Sequence, residues 1–527
     1  MLQVSIRRLR RQKLCLSLIA AAALFCAACD GTSANAQQSS SGPATFNIGA
    51  TFLPTFIDPA KGIDAIFSFA QALTRVNAQG QVVPVLLVKL PQQQATSKWL
   101  LTLRPRITFQ DGRALNAKTL VAAMTREMRL SPAAQADLPG AFFTVAGPLS
   151  VTVHTRGLVR LLPYDLADPA FDVYDVSAIA GAPNGDCGWA GRKAFTAAYE
   201  IATCTANSMT LVPYAKYWQG GPKLKKIQIT LVSDPLAKVD GIEAGQLDMA
   251  DSANEAAIKD AIRGRSNVQL KLSPVPLSLT RVYLNVTRPP MNDVMVRRAV
   301  LQALDYQALG TAFTSNVGQP GRGILPTGYP GAVANQKYDP AAASKLLTAD
   351  GWRMANGTRT KGGKQLALTL LIYNERPALK QLAVAMQSEL SAVGIKVSIQ
   401  AQPFSYSMYN TTPWDLTLYN DYSVGPDGVP DSYLSTYLGS TGSENFGHIH
   451  DPALDRMLAQ LVAAPDQATR NRLLTQIQNY VVLTKAYQSV VLYQKDGALV
   501  TSSWGCYVPD PDAYQYAEWN WNISRCG

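Results

Sequence analysis

Between residues 366 and 399 the spacing of apolar side chains changes from every second position to a helical period and back again. Leu366, Leu368, Leu370 and Ile372 alternate, Ala378 to Val393 follow the helical period up to Gly394, and Ile395, Val397 and Ile399 alternate once more. A strand, a helix and a strand in this order place the chain in the α/β class. Ile227, Ile229 and Leu231 read as a further strand, and the Asn292-Asp293 cap opens a helix with Val296, Ala299, Val300, Ala303 and Leu304 along one face. These stripes are read as core. A length of 527 residues suggests three or four compact units, 47% apolar and 16% charged residues fit a globular body, and no repeat of solenoid or propeller length is present.

The first residues differ from the rest. Arg7, Arg8, Arg10, Arg11 and Lys13 precede an apolar run, Leu14 to Ala28, that is too short to span a bilayer, so residues 1–28 read as an export signal. The run ends in Cys26-Ala27-Ala28-Cys29, which resembles a bacterial lipobox with Cys26 where leucine is preferred; Cys29 is then the lipidation site. Cleavage after Ala34-Asn35-Ala36 is the competing reading. Residues 29–44, rich in Ser, Gln, Ala and Gly, read as a flexible tether. The net charge of +11 falls to +6 without the five basic leader residues and is unclustered, so no nucleic-acid partner is expected. Export removes Cys15 and Cys26 and leaves two local couples, Cys187 with Cys204 and Cys506 with Cys526. An oxidising compartment should close each as a disulfide worth ~3 kcal/mol. None of the four belongs to a C-x-x-C pair or has a histidine nearby, so zinc is not expected.

Signs of catalytic chemistry are sparse. The sequence has no G-x-S-x-G, no G-x-x-x-x-G-K-[ST] and no H-E-x-x-H. His154 reads as a strand residue, and His448 and His450 as parts of a solvated loop without a third metal ligand. Asp421, Asp427 and Asp431 carry no hydrolytic motif around them.

Six segments in order do carry a resemblance. They are Phe56-Ile57-Asp58-Pro59; Lys98 to Ala117, with Phe109-Gln110-Asp111-Gly112 at its centre; Tyr217-Trp218 with Gly220 to Leu224; Gly245-Gln246-Leu247-Asp248; Leu284-Asn285 through Asp305; and Tyr338-Asp339-Pro340 through Gly351-Trp352. Together they resemble the bacterial extracellular solute-binding proteins of the peptide and nickel family, family 5, the receptors of dipeptide and oligopeptide ABC importers.

The resemblance implies a two-lobed periplasmic-binding-protein fold of type II, in the large peptide-binding class, with a subdomain inserted in the first lobe. Lobe I would comprise residues 45–66, 195–277 and 491–527, the insertion 67–194, and lobe II 278–490. The forward crossing would fall near Ser273 to Arg281, before a strand Val282-Tyr283-Leu284, and the return near Val490 to Lys495. Hinge closure would trap a small solute, a peptide first of all, for an ABC permease and ATPase, with no cofactor and no turnover. A non-peptide solute (metal chelate, opine or sugar-like) and a secreted hydrolase are the alternatives. The protein would be a monomer on the periplasmic side of the envelope. In peptide-binding relatives an aspartate of lobe II pairs with the ligand's ammonium. Here Asp421-Tyr422 or Asp427 stands near that motif, without its tryptophan. The segment Asn184 to Trp189 replaces the turn that peptide receptors usually carry.

Overall fold

The computed structural model describes residues 45–53, 57–61, 69–77, 81–157, 159, 161–183, 187–251, 258, 261–314, 318–329, 331–422, 430–464, 466–509 and 525–526. Cys29, Asp427 and the leader lie outside them, and Tyr422 is described by its backbone only.

The strand-helix-strand unit is present as Ala367–Tyr373, helix Pro377–Ala392 and Lys396–Gln402, with the two strands parallel and Ala367 opposite Lys396. Gly394 ends the helix at φ +85, a left-handed geometry that costs glycine little. In the other half, Phe46–Ala50 lies between Ile227–Leu231 and Met249–Ala250, parallel to both. All of these strands belong to one continuous sheet, because two long antiparallel strands, Val268–Leu284 and Gln488–Thr501, run through its middle.

The apolar core is divided although the sheet is not. One cluster gathers buried side chains from Leu279 to Tyr493, a second those from Phe46 to Met249 together with Ala498, Val500, Trp504 and Tyr507, and a small third packs Val239, Ile242, Ile258 and Val268. The two long strands therefore pass from one core to the other. Their pairing slips between Leu272 and Pro276, between Pro276 and Ser278, and between Thr280 and Arg281. The strand expected to begin at Val282 begins at Val268 instead and runs through the proline-marked stretch. Bulges absorb prolines that lack an N–H, and they also weaken the ladder where the cores part.

Local chemistry explains the family-like segments. In the second, Gly112 turns at φ +90, and Asn116 caps helix Ala117–Leu130 by accepting from Lys118 and Thr119 N–H while Thr119 Oγ1 accepts from Asn116 N–H. Lys98–Thr102 lies inside a separate four-stranded antiparallel sheet. In the fifth, Asp293 caps helix Val294–Gln302, and Arg297 donates to the carbonyls of Met291, Lys485 and Ala486. That guanidinium fixes the chain just before the return strand begins. Asp339 caps helix Pro340–Ala349. Both cysteine couples are joined, with Cα separations of 5.4 Å for Cys187–Cys204 and 5.8 Å for Cys506–Cys526.

Candidate functional site

In open α/β sheets a ligand is held outside the carboxyl ends of the parallel strands. In the first half these ends deliver Thr51, Phe52 and Asp251; in the second they deliver Asn374 to Arg376, Phe404 and Asp421. The two sets meet. The Phe52 ring stands 6.1 Å from Phe404 in an edge-on arrangement, and the Arg376 guanidinium lies 5.6 Å from the Phe52 centroid. On the first side Lys238 donates to Asp251 Oδ1 and Oγ1 of Thr51, a buried ion pair at 2.8 Å that fixes the turn after Ala50. Between the halves, Asp496 of the return strand faces Arg376 and Asp251. Burial raises its pKa, against a hydrogen bond from Ser278 and the charge of Arg376.

Asp421 lies opposite Leu279 in the ladder, next to the crossing. Its carboxylate accepts a short hydrogen bond from Tyr437 Oη and stands 3.7 Å from the guanidinium of Arg281, which is fully buried on the forward strand. The Arg281 guanidinium sits 3.7 Å from the Tyr437 ring and 4.9 Å from that of Tyr433, and donates to Tyr283 Oη. Burial lowers the Arg281 pKa, but Tyr283, Tyr433, Asp421 and Glu444 more than offset this, so the cation persists. Glu444 is pushed the other way, toward its protonated form, by burial and then by Asp421. Asn420 donates to Leu279 O, Thr280 Oγ1 and Gln494 Oε1, tying its strand to both crossing strands. An aromatic wall of Tyr283, Tyr373, Phe404, Tyr409, Tyr419 and Phe446 closes the far side.

Sequence reasoning singled out Asp421 but not its partners. Arg281 was visible as the one charge in the alternating run Leu277 to Leu284, and it reaches Asp421 because the paired strands set Arg281 opposite Tyr419 and Leu279 opposite Asp421, on one face of the sheet. Asp431, set aside as lacking a motif, pairs with Arg470. His448 and His450 fall in irregular backbone as expected, and no cluster of metal-ligating side chains exists among the described residues.

The family model described as "Bacterial extracellular solute-binding proteins, family 5 Middle" matches residues 81–445. The nickel-binding protein NikA of Staphylococcus aureus is 24% identical over 409 residues, 77% of this chain and 79% of that one. The probable D,D-dipeptide-binding periplasmic protein DdpA of Escherichia coli is 23% identical over 484 residues, 85% of this chain and 88% of that one. The crystal structure of Staphylococcus aureus NikA in complex with Ni(L-His)2 superimposes with a TM-score of 0.81 at 21% identity, covering 92% of this chain and all of that one, which establishes the two-lobed fold. The matched segment runs through most of both cores and the forward crossing strand, and the chain belongs to the bacterial extracellular solute-binding proteins of family 5.

Proposed function

We propose that this solute-binding protein is the receptor of an ABC importer that captures a short peptide by hinge closure and hands it to the permease without turning it over. The observation that carries this reading is the pair of bulged strands passing between two separate cores, since bending there leaves each core intact. In this reading lobe I comprises 45–66, 195–277 and 491–527 with 67–194 inserted, and lobe II is 278–490. The chain is exported and monomeric, anchored by lipid at Cys29 or released by cleavage after Ala36. Asp421 with Tyr422, or Asp427, meets the ligand's ammonium.

One observation favours a second reading. Arg281 already compensates Asp421, so that carboxylate does not require a ligand ammonium, which suits a solute without one, such as a metal chelate or an opine. Mass spectrometry of molecules that co-purify with the exported protein, released by denaturation, separates the two. A spread of short peptides supports the first; a single non-peptide species supports the second. Asp421→Ala and Asp427→Ala should then each weaken retention of whatever is found. Loss of a candidate solute over time in clean protein would overturn both and restore the hydrolase alternative.

A further inference from the structure

The parallel strands of the first half end at the candidate site, where they deliver Thr51 and Asp251. Their amino ends lie along the opposite edge of the sheet. Residues 214–226, which join strand Ser208–Pro213 to strand Ile227–Leu231, lie along that edge. Phe46 pairs with Ile227, and its N–H donates to the carbonyl of Lys226 at 2.9 Å, so strand Phe46–Ala50 starts beside this loop. The loop carries Lys216, Lys223, Lys225 and Lys226, and no aspartate or glutamate occurs between Glu200 and Asp234. Lys216, Lys223 and Lys225 are exposed, and Lys226 is half-buried. Among the described residues the lysines in ion pairs are others: Lys193, Lys238, Lys361 and Lys485.

The rest of the edge does not cancel this charge. The Trp504 ring, just past the return strand, stands 4.4 Å from Phe46, and the exposed Arg525 precedes Cys526, whose N–H donates to Ser503 O at 2.8 Å. The nearby carboxylates are engaged elsewhere. Asp248 accepts from Asn47 N–H and Trp504 Nε1, and Asp240 and Glu243 lie against Arg265.

Exposed lysines are common on any surface; their position beside the start of the fold is what singles these out. In the reading given above, lipid at Cys29 anchors the chain and residues 29–44 link the anchor to the folded body. Sixteen residues span at most about 55 Å, so the anchored body never leaves the neighbourhood of the bilayer. Each lysine near an anionic lipid surface strengthens contact about fivefold, and a tether raises the effective concentration of the two surfaces for one another. We propose that the edge bearing Lys216, Lys223, Lys225, Lys226 and Arg525 docks on the anionic phospholipid headgroups of the membrane that anchors the chain. The proposal rests on the lipid-anchor reading. Strand Phe46–Ala50, roughly 17 Å long, separates this edge from Thr51, so docking by the lysines turns the candidate site away from the bilayer and toward free solute.

Lysine acetylation by a water-soluble N-hydroxysulfosuccinimide ester, at single-hit conversion and read by mass spectrometry, tests the docking on the whole exported protein. Vesicles in excess are phosphatidylcholine alone or with one third phosphatidylglycerol, in about 0.05 M and about 0.5 M salt. On anionic vesicles at low salt, Lys223 and Lys225 should react at least ~10-fold more slowly than on neutral ones, and the difference should vanish at high salt. The exposed Lys337, Lys364 and Lys380 of the other half should react equally on both. Replacing Lys223→Gln, Lys225→Gln and Lys226→Gln together should also remove the protection of Lys216. Equal reactivity of Lys223 and Lys225 on the two kinds of vesicle, or equal protection of Lys364 and Lys380, overturns the proposal. The anchor is read separately, since Cys29→Ala should move the chain from the membrane to the soluble fraction. A wild-type chain that is already soluble overturns the anchor, while the acetylation pattern still decides the docking.

Discussion

Arg126 and Arg281 each lie against an aspartate, a glutamate and tyrosine rings, yet one is enclosed by a single core and the other stands where the long strands cross. Arg126 holds Asp58 through both nitrogens at 2.6 and 2.7 Å, donates to Tyr174 Oη at 2.8 Å, and lies 5.1 Å from the Trp189 ring centroid. Tyr174 Oη donates in turn to Glu127, whose pKa burial pushes up to about 8 against that bond and the charge of Arg126. Every partner belongs to the core that gathers Phe46 to Met249, or to its boundary. Arg281 instead reaches Asp421 at 3.7 Å, and its aromatic neighbours Tyr433 and Tyr437 come from a helix that also meets the other half of the molecule. Similar residue types thus serve two ends. The tight network fixes the Asp58-Pro59 turn against helix Ala117–Leu130, whereas the longer pair links the forward crossing strand to the strand that carries Asp421.

The comparison can be broken by mutation. Arg126→Met leaves a buried Asp58 without its cation and should cost about 3–5 kcal/mol in denaturant unfolding, with solute retention unchanged in the folded fraction. Full stability in R126M would show that the tight network is no more structural than the looser one. Asp421→Asn should weaken solute retention by at least ~10-fold, about 1.4 kcal/mol, while lowering the melting temperature much less than R126M does. An unfolding loss as large as that of R126M, with retention intact, would place Asp421 in the core as well. The smallest effect is expected for Tyr437→Phe, which removes the hydroxyl donating to Asp421 and should cost about 1 kcal/mol of stability with a retention change in the same direction as D421N.

Local elements were legible in the residues because their causes are local. The Asp293 cap, the Gly394 stop, the alternating strands and the close cysteine couples each depend on neighbours within a few tens of positions. The candidate site was legible only in part. Asp421 stood out because Asp421-Tyr422 stands near a motif of peptide-binding relatives, but Tyr437 is sixteen residues away, Arg281 a hundred and forty, and Glu444 lies on a separate loop. The proline-marked stretch was read as lying before the strand rather than within it, since bulges that let Pro276 pair across from Lys495 depend on a partner strand more than two hundred residues distant.

The sequence by itself determined the α/β class, the helix boundaries and the family, because period, caps and motif order are properties of short stretches of chain. Only the tertiary structure decided which charges face one another. The unbroken pairing of Leu279 with Asp421 and Arg281 with Tyr419 puts the guanidinium and the Asp421 carboxylate on one face of the sheet, and the tertiary fold sets Asp431 against Arg470, thirty-nine residues away. Side-chain direction in a strand reverses with a one-residue change of register, so the partners of a buried charge are settled only when the strands have paired.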